Sequence, residues 1–286
     1  MIYGLGAAIF WGLADLFAAF SGRRVGVAAT VLLSQVAAAV AINVVVLASG
    51  HDLDRVAEVA GWLTPVAVVT AVAYVSLYRA LELGPIALVS PLLASYAVIP
   101  VLLAVIFLDE SLGSIEITGA AVTIVGAVVT SADVRSLRTG TRVPAAALPW
   151  ALGSTVLFGT AAYALAWSAK RVGWLTSLWL VRTSTALLFV VAAVVAFAVL
   201  RRPALRGSLS TRAVALCALL GLADLAGTIS YSRGSEVGLV SIVTAVSATY
   251  PLIPVFGGIA LLDERPAINH YVGVAMVIAG LLLLGA

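Results

Sequence analysis

The sequence predicts an all-α polytopic membrane protein with ten transmembrane helices, arranged as two five-helix halves of opposite orientation. Three observations carry this. Of 286 residues, 63% are hydrophobic and 10% charged, whereas a soluble globular chain has about 25% charged residues. Apolar segments of roughly 20 residues, the length that crosses a bilayer as a helix, recur from end to end. Finally, Gly84, Tyr96, Pro100, Asp109, Glu110, Gly119 and Gly126 return as Gly238, Tyr250, Pro254, Asp263, Glu264, Gly273 and Gly280, each pair 154 residues apart. Glu82 and Arg79 pair with Glu236 and Arg233 at the same offset. A constant offset through glycine, proline and acidic positions marks an internal duplication.

The spans fall at roughly 3–21, 27–48, 62–81, 85–107 and 115–132, then 147–168, 174–199, 213–233, 238–261 and 268–285. The first carries Asp15 and lacks a basic leader, so it reads as a span rather than a cleaved signal. Pro91 and Pro100 interrupt the fourth, which is tolerated where neighbouring helices satisfy the freed carbonyls. The earlier spans repeat at a different offset: Trp11 and Gly12 answer Phe158 and Gly159, and Arg24, Val25 and Gly26 answer Arg171, Val172 and Gly173, each 147 apart. Residues 1–132 and 147–286 are the halves, and 133–146, with Arg135, Arg138 and Arg142, is a basic linker. Five spans is an odd number, so the second half lies inverted relative to the first, a common design among secondary transporters.

A net charge of +3 suits nucleic acid poorly here, because the arginines lie between apolar segments, where membrane topology places them. The loops after odd-numbered spans carry eleven arginines, and the other side carries four basic residues. That count puts both termini outside. Cys217 is the single cysteine, and His51 and His270 are the only histidines, so neither an intrachain disulfide nor a His/Cys metal site is expected, and no cofactor is implied.

The doubled arrangement resembles the drug/metabolite transporter superfamily, in particular its EamA branch. The residues that carry it are Tyr78 through Gly84, Pro100, Leu108 through Glu110, Gly119 and Gly126. In the second half they are Gly234 through Gly238, Pro251, Pro254, Leu262 through Glu264, Gly273 and Gly280. The resemblance implies a 5+5 inverted repeat around a central cavity in the plasma membrane, transporting small metabolites and often exporting amino acids or related compounds. It also implies termini inside, from which the arginine count departs.

Three charges lie well inside apolar spans: Asp15, Arg182 and Asp224. Each costs about 2.5–3.5 kcal/mol to insert at a helix centre, so such residues face the bundle interior or a wet cavity. Thr228 and Tyr231 extend the face of Asp224. The matching positions in the first half are Thr70, Tyr74 and Leu77, and Gln35 matches Arg182. Two readings stand for Arg182 and Asp224. They are ligands for the carboxylate and ammonium of a zwitterion, with Asp224 alternatively a proton-coupling carboxylate, or they form a permanent ion pair, Arg182 bridging Asp224 or Asp15. Trp11, one turn before Asp15, reads as an interface anchor, or else as the aromatic partner of a bound organic cation.

Pro100 and Pro254, with Tyr96 and Tyr250 one turn earlier, mark matched helix breaks that suit a gate or a site between halves. Glu82, Glu236, Asp109, Glu110, Asp263 and Glu264, at span ends, read as caps or as salt-bridge partners of Arg79 and Arg233. Gly119, Gly126, Gly273 and Gly280 permit close helix approach, within the chain or across a homodimer.

No G-x-x-x-x-G-K-[ST] loop occurs, so transport would draw on a gradient. Catalytic pairs do not cluster, so an intramembrane enzyme is not expected. The expected function is secondary transport, as an exporter of amino-acid-like or amphipathic compounds. The partners are a small-molecule substrate and the lipid bilayer. An uptake permease of the same fold, or a non-transporting subunit or sensor, are the alternatives.

Overall fold

A computed structural model describes residues 1–83, 92–132, 146–198, 210–253 and 267–285. Among these the chain forms ten α-helices, one 3-10 turn and no strand. They are α1 (Ile2–Val25), α2 (Val27–Ser49), α3 (Val56–Leu83), α4 (Val98–Phe107), α5 (Ser114–Ser131), α6 (Leu148–Val172), α7 (Trp174–Ala198), α8 (Thr211–Val237), α9 (Val240–Ser247) and α10 (Ile268–Gly285). Five of them, α2, α3, α6, α7 and α8, are long and apolar enough to cross a membrane. Shorter apolar helices span Ile2–Ala18, Leu92–Phe107, Ser114–Thr130 and Ile268–Leu284. The outward faces carry Val40, Val44 and Leu47 on α2, Val68, Val72 and Val75 on α3, and Leu187, Val191 and Val194 on α7. Apolar side chains at helical spacing on the outside suit lipid, not water.

Tight joints follow from glycine. Gly26 (φ 78°) separates α1 from α2, and Gly173 (φ 91°), its match in the second half, separates α6 from α7. Both take a backbone conformation that L side chains resist. α2 ends on Gly50, whose N–H returns to the Leu47 carbonyl (3.3 Å) while His51 N–H returns to Val46 (3.2 Å). These paired bonds make a Schellman cap.

The helices pack in matched pairs. α1 lies on α8 as α3 lies on α6, α2 on α8 as α3 on α7, and α1 on α9 as α4 on α6. α5 pairs with α10. There a Cβ on Gly126 would stand 2.9 Å from the Gly273 carbonyl oxygen, and one on Gly280 would stand 2.7 Å from that of Gly119. The four glycines serve packing within the chain, so the homodimer expectation loses the residues that suggested it.

Several boundaries differ from the sequence expectation. α3 starts at Val56 rather than 62: the Arg55–Glu58 pair (2.9 Å) supports its first turn, and the helix runs on through Pro65 in its third. The ninth span is not one helix to 261: α9 stops at Ser247. Hydroxyls compete for the backbone there, with Ser247 bonding the Thr244 carbonyl and Thr249 bonding Val246 (both 2.8 Å), and Pro251 follows. The fourth span breaks likewise at the 3-10 turn Ser95–Ala97, where Ser95 bonds the Leu92 carbonyl (2.6 Å). Pro100 is buried in the first turn of α4, so the break lies upstream of it. Pro254, Asp263, Glu264 and the Glu82 side chain lie outside the described residues.

Candidate functional site

Five helices converge on one polar cluster. α7 contributes Arg182, which is buried, and α8 contributes Asp224. Arg182 Nη1 meets the Asp224 carboxylate at 2.7 Å and donates to Gln35 Oε1 on α2 at 3.3 Å. Its other terminal nitrogen donates to Thr228 Oγ1. Tyr74 on α3 donates its hydroxyl to Asp224 Oδ2 (3.2 Å). Trp11 on α1 donates Nε1 to Thr228 Oγ1 (3.4 Å). The buried guanidinium thus has three acceptors and the carboxylate two donors. Such pairs hold because each charge is both neutralised and hydrogen-bonded.

The ion pair between Arg182 and Asp224 is therefore formed in this structure, and the two groups are not held apart as separate ligands. Trp11 is not an interface anchor. It lies inside, tilted against Tyr231 at 5.5 Å and edge-on to Tyr96 at 6.5 Å. Gly227 makes room for it, since a Cβ there would stand 2.7 Å from the indole nitrogen. Nothing in the apolar run around Gly227 signals that role. Tyr96 continues to Tyr250 at 6.4 Å, and its hydroxyl lies 3.5 Å from Ser247. Tyr231 is fully buried, with its hydroxyl 3.1 Å from Thr244 Oγ1.

Asp15 behaves differently. It is exposed at mid-helix, and no ion pair or hydrogen bond to it is found among the described residues. It lies one turn after Trp11 on the same face, and that face points inward. Asp224, Tyr96 and Tyr250 are within its electrostatic range. An exposed carboxylate on the face that carries Trp11 is where a chamber between the helices would open.

One feature escaped the sequence reading, and another was expected in kind but not in partner. Trp179 Nε1 donates to Asn43 Oδ1 (2.9 Å), and Asn43 Nδ2 donates to Thr183 (3.2 Å), tying α2 to α7. Glu110 is a cap, but for a distant helix: it accepts from the backbone N–H of Val240 (2.7 Å) and Ser241 (3.0 Å) and from the Ser241 hydroxyl (2.6 Å) at the start of α9. Lys170 Nζ lies 3.8 Å from the same carboxylate and donates to the Gly238 carbonyl (2.9 Å). Glu236 pairs with Arg233, as expected.

Fold and site together define a helical membrane protein with a cluster of charged side chains between its helices. Residues 1–132 match the model of the EamA-like transporter family, part of the drug/metabolite transporter superfamily. Its members are small-molecule transporters, not enzymes. No curated protein matches the sequence. Among solved structures, a crystal structure of a protein aligns over 99% of this chain and 96% of its own, with TM-score 0.79 and 16% identity. That likeness is one of fold.

Proposed function

We propose that the protein is a secondary transporter that exports small amphipathic metabolites across the plasma membrane by alternating access. Its ten helices act as two inverted five-helix repeats, 1–132 and 147–286, joined by the linker 133–146. The reading is supported by the matched packing of α1 on α8 and α3 on α6. The observation that carries it is the charged network of Arg182, Asp224, Gln35, Tyr74 and Thr228 beside the open Asp15, inside an otherwise apolar bundle. Charge at membrane depth is costly to insert, and a pathway for polar solutes accounts for it. Tyr96 and Tyr250, next to the two helix breaks, stand where the repeats meet and where a gate would open.

Metabolite profiling of cells and medium tests this, using hosts that express wild type, Arg182→Ala or an empty vector. The expected result is a compound that accumulates outside only with wild type, with the mutant present in the membrane at equal level. An unchanged profile, or one the mutant shares, defeats the reading. The arginine count favours both termini outside. Ala286→Cys should then react with an impermeant maleimide in intact cells, against a low background from buried Cys217.

A further inference from the structure

We infer that the chamber takes an organic monocation, with Asp15 as its counter-charge and Trp11, Tyr96 and Tyr250 as the aromatic wall. The inference rests on the transporter reading only in taking this chamber for the substrate's site.

Charge comes first. The charged side chains that meet here are Asp15 from α1, Arg182 from α7 and Asp224 from α8. The neighbouring α2 offers Gln35, α3 offers Tyr74, and α9 offers only hydroxyls. Arg182 is bound to Asp224, Gln35 and Thr228. A ligand carboxylate would compete with Asp224 for the guanidinium, and displacing Asp224 would leave a buried anion unpaired, which costs several kcal/mol. The pair cancels itself, and the negative charge of Asp15 remains uncompensated among the described residues. A zwitterion would bring a second negative charge into a site with no unpaired cation among the described residues. A monocation balances it.

Geometry agrees. Trp11 precedes Asp15 by one turn, and Tyr96 stands edge-on to Trp11 at 6.5 Å. Tyr250 reaches the same face of α1: a Cβ on Gly12, three residues before Asp15, would stand 2.7 Å from the Tyr250 carbonyl oxygen. Tyr96 and Tyr250 are 6.4 Å apart. Ring faces beside one carboxylate suit alkylated ammonium groups, which are weakly hydrated and attracted to aromatic quadrupoles. A bare inorganic cation would want more oxygen ligands than one carboxylate supplies.

The test is equilibrium binding to the full-length protein in lipid nanodiscs, followed by calorimetry and tryptophan fluorescence. The probes are choline, tetraphenylphosphonium, ethylamine, L-alanine and 3,3-dimethylbutan-1-ol, the last being choline's shape without the charge. Wild type is expected to bind both cations, and the alcohol at least about tenfold more weakly. Asp15→Asn should lower cation affinity about tenfold or more, and Asp15→Glu should stay within about threefold. Trp11→Leu should weaken binding about threefold. The inference is overturned if the alcohol matches choline, if Asp15→Asn binds like wild type, or if folded wild type binds neither cation. Preference for L-alanine over ethylamine overturns it as well. Should Asp15→Asn fail to fold, the comparison of choline with its alcohol on wild type still decides. No gradient is present, so the two readings separate. A protein that binds choline through Asp15 but moves nothing in proteoliposomes keeps this inference and loses the transporter reading. Export untouched by Asp15→Asn does the reverse.

Discussion

At matched positions the two halves share backbone requirements and differ in chemistry. Gly12 and Gly159 both lie under a carbonyl of the opposite half, that of Tyr250 and that of Tyr96 respectively. Around them the side chains diverge. Trp11 donates to Thr228, whereas Phe158 rests edge-on against Tyr74 at 5.0 Å. Asp15 is matched by Ala162, whose carbonyl lies 3.5 Å from the Tyr231 hydroxyl. Gln35 is matched by Arg182, and Thr70 by Asp224. The difference has a physical logic. Matched positions meet across the bundle, as Gln35 and Arg182 do at 3.3 Å. Two arginines there would repel in a medium of low dielectric, and two aspartates at the other pair would add charge without a partner. Symmetric packing therefore requires asymmetric charge.

Making one half imitate the other should break this logic, and the largest effect is expected at the ion pair. Asp224→Thr copies the first half and strands Arg182, destabilising the fold by about 3–5 kcal/mol in denaturant unfolding in mixed micelles. Adding Arg182→Gln removes the stranded charge and should restore most of that loss. A double variant as unstable as the single would mean that the pair is not mutual. Next, Glu110→Gln leaves the α9 cap with a weaker acceptor and should cost about 1.5–3 kcal/mol by the same assay, because charge-assisted bonds are lost. Trp11→Phe copies Phe158 and removes a bond to Thr228 worth about 0.6 kcal/mol, the average for hydrogen bonds between membrane helices. The smallest effect is expected for Asp15→Ala, which copies Ala162. With no partner to lose, stability should stay within about 0.5 kcal/mol of wild type or rise. A large drop there would reveal a partner for Asp15 and sink the open-chamber reading.

What the sequence made legible follows from range. Hydropathy and the repeated glycines act locally or at fixed offset, so helix number, the α1–α2 and α6–α7 joints and the candidate charges could all be read from it. Trp11 was misplaced because its surroundings, Gly227 and Tyr231, come from α8, more than two hundred residues along. Whether Arg182 and Asp224 pair depends on how α7 faces α8, which no local pattern states. The end of α9 was missed because an apolar run hides a break made by two hydroxyls and a proline. The cap role of Glu110 was foreseen, but its helix lies 130 residues away.

The seam between α5 and α10 bears on how the chain is made. α5 leaves the ribosome early, yet the carbonyls of Gly119 and Gly126 meet their counterparts only when Gly273 and Gly280, in the last helix, have been synthesised. Until then its small-residue groove faces lipid or the insertion machinery. Thr123 and Thr130 turn their hydroxyls back onto those same carbonyls, each at 2.8 Å, which keeps the waiting helix self-satisfied. A chain truncated before residue 268 would present an unfilled groove to membrane quality-control proteases.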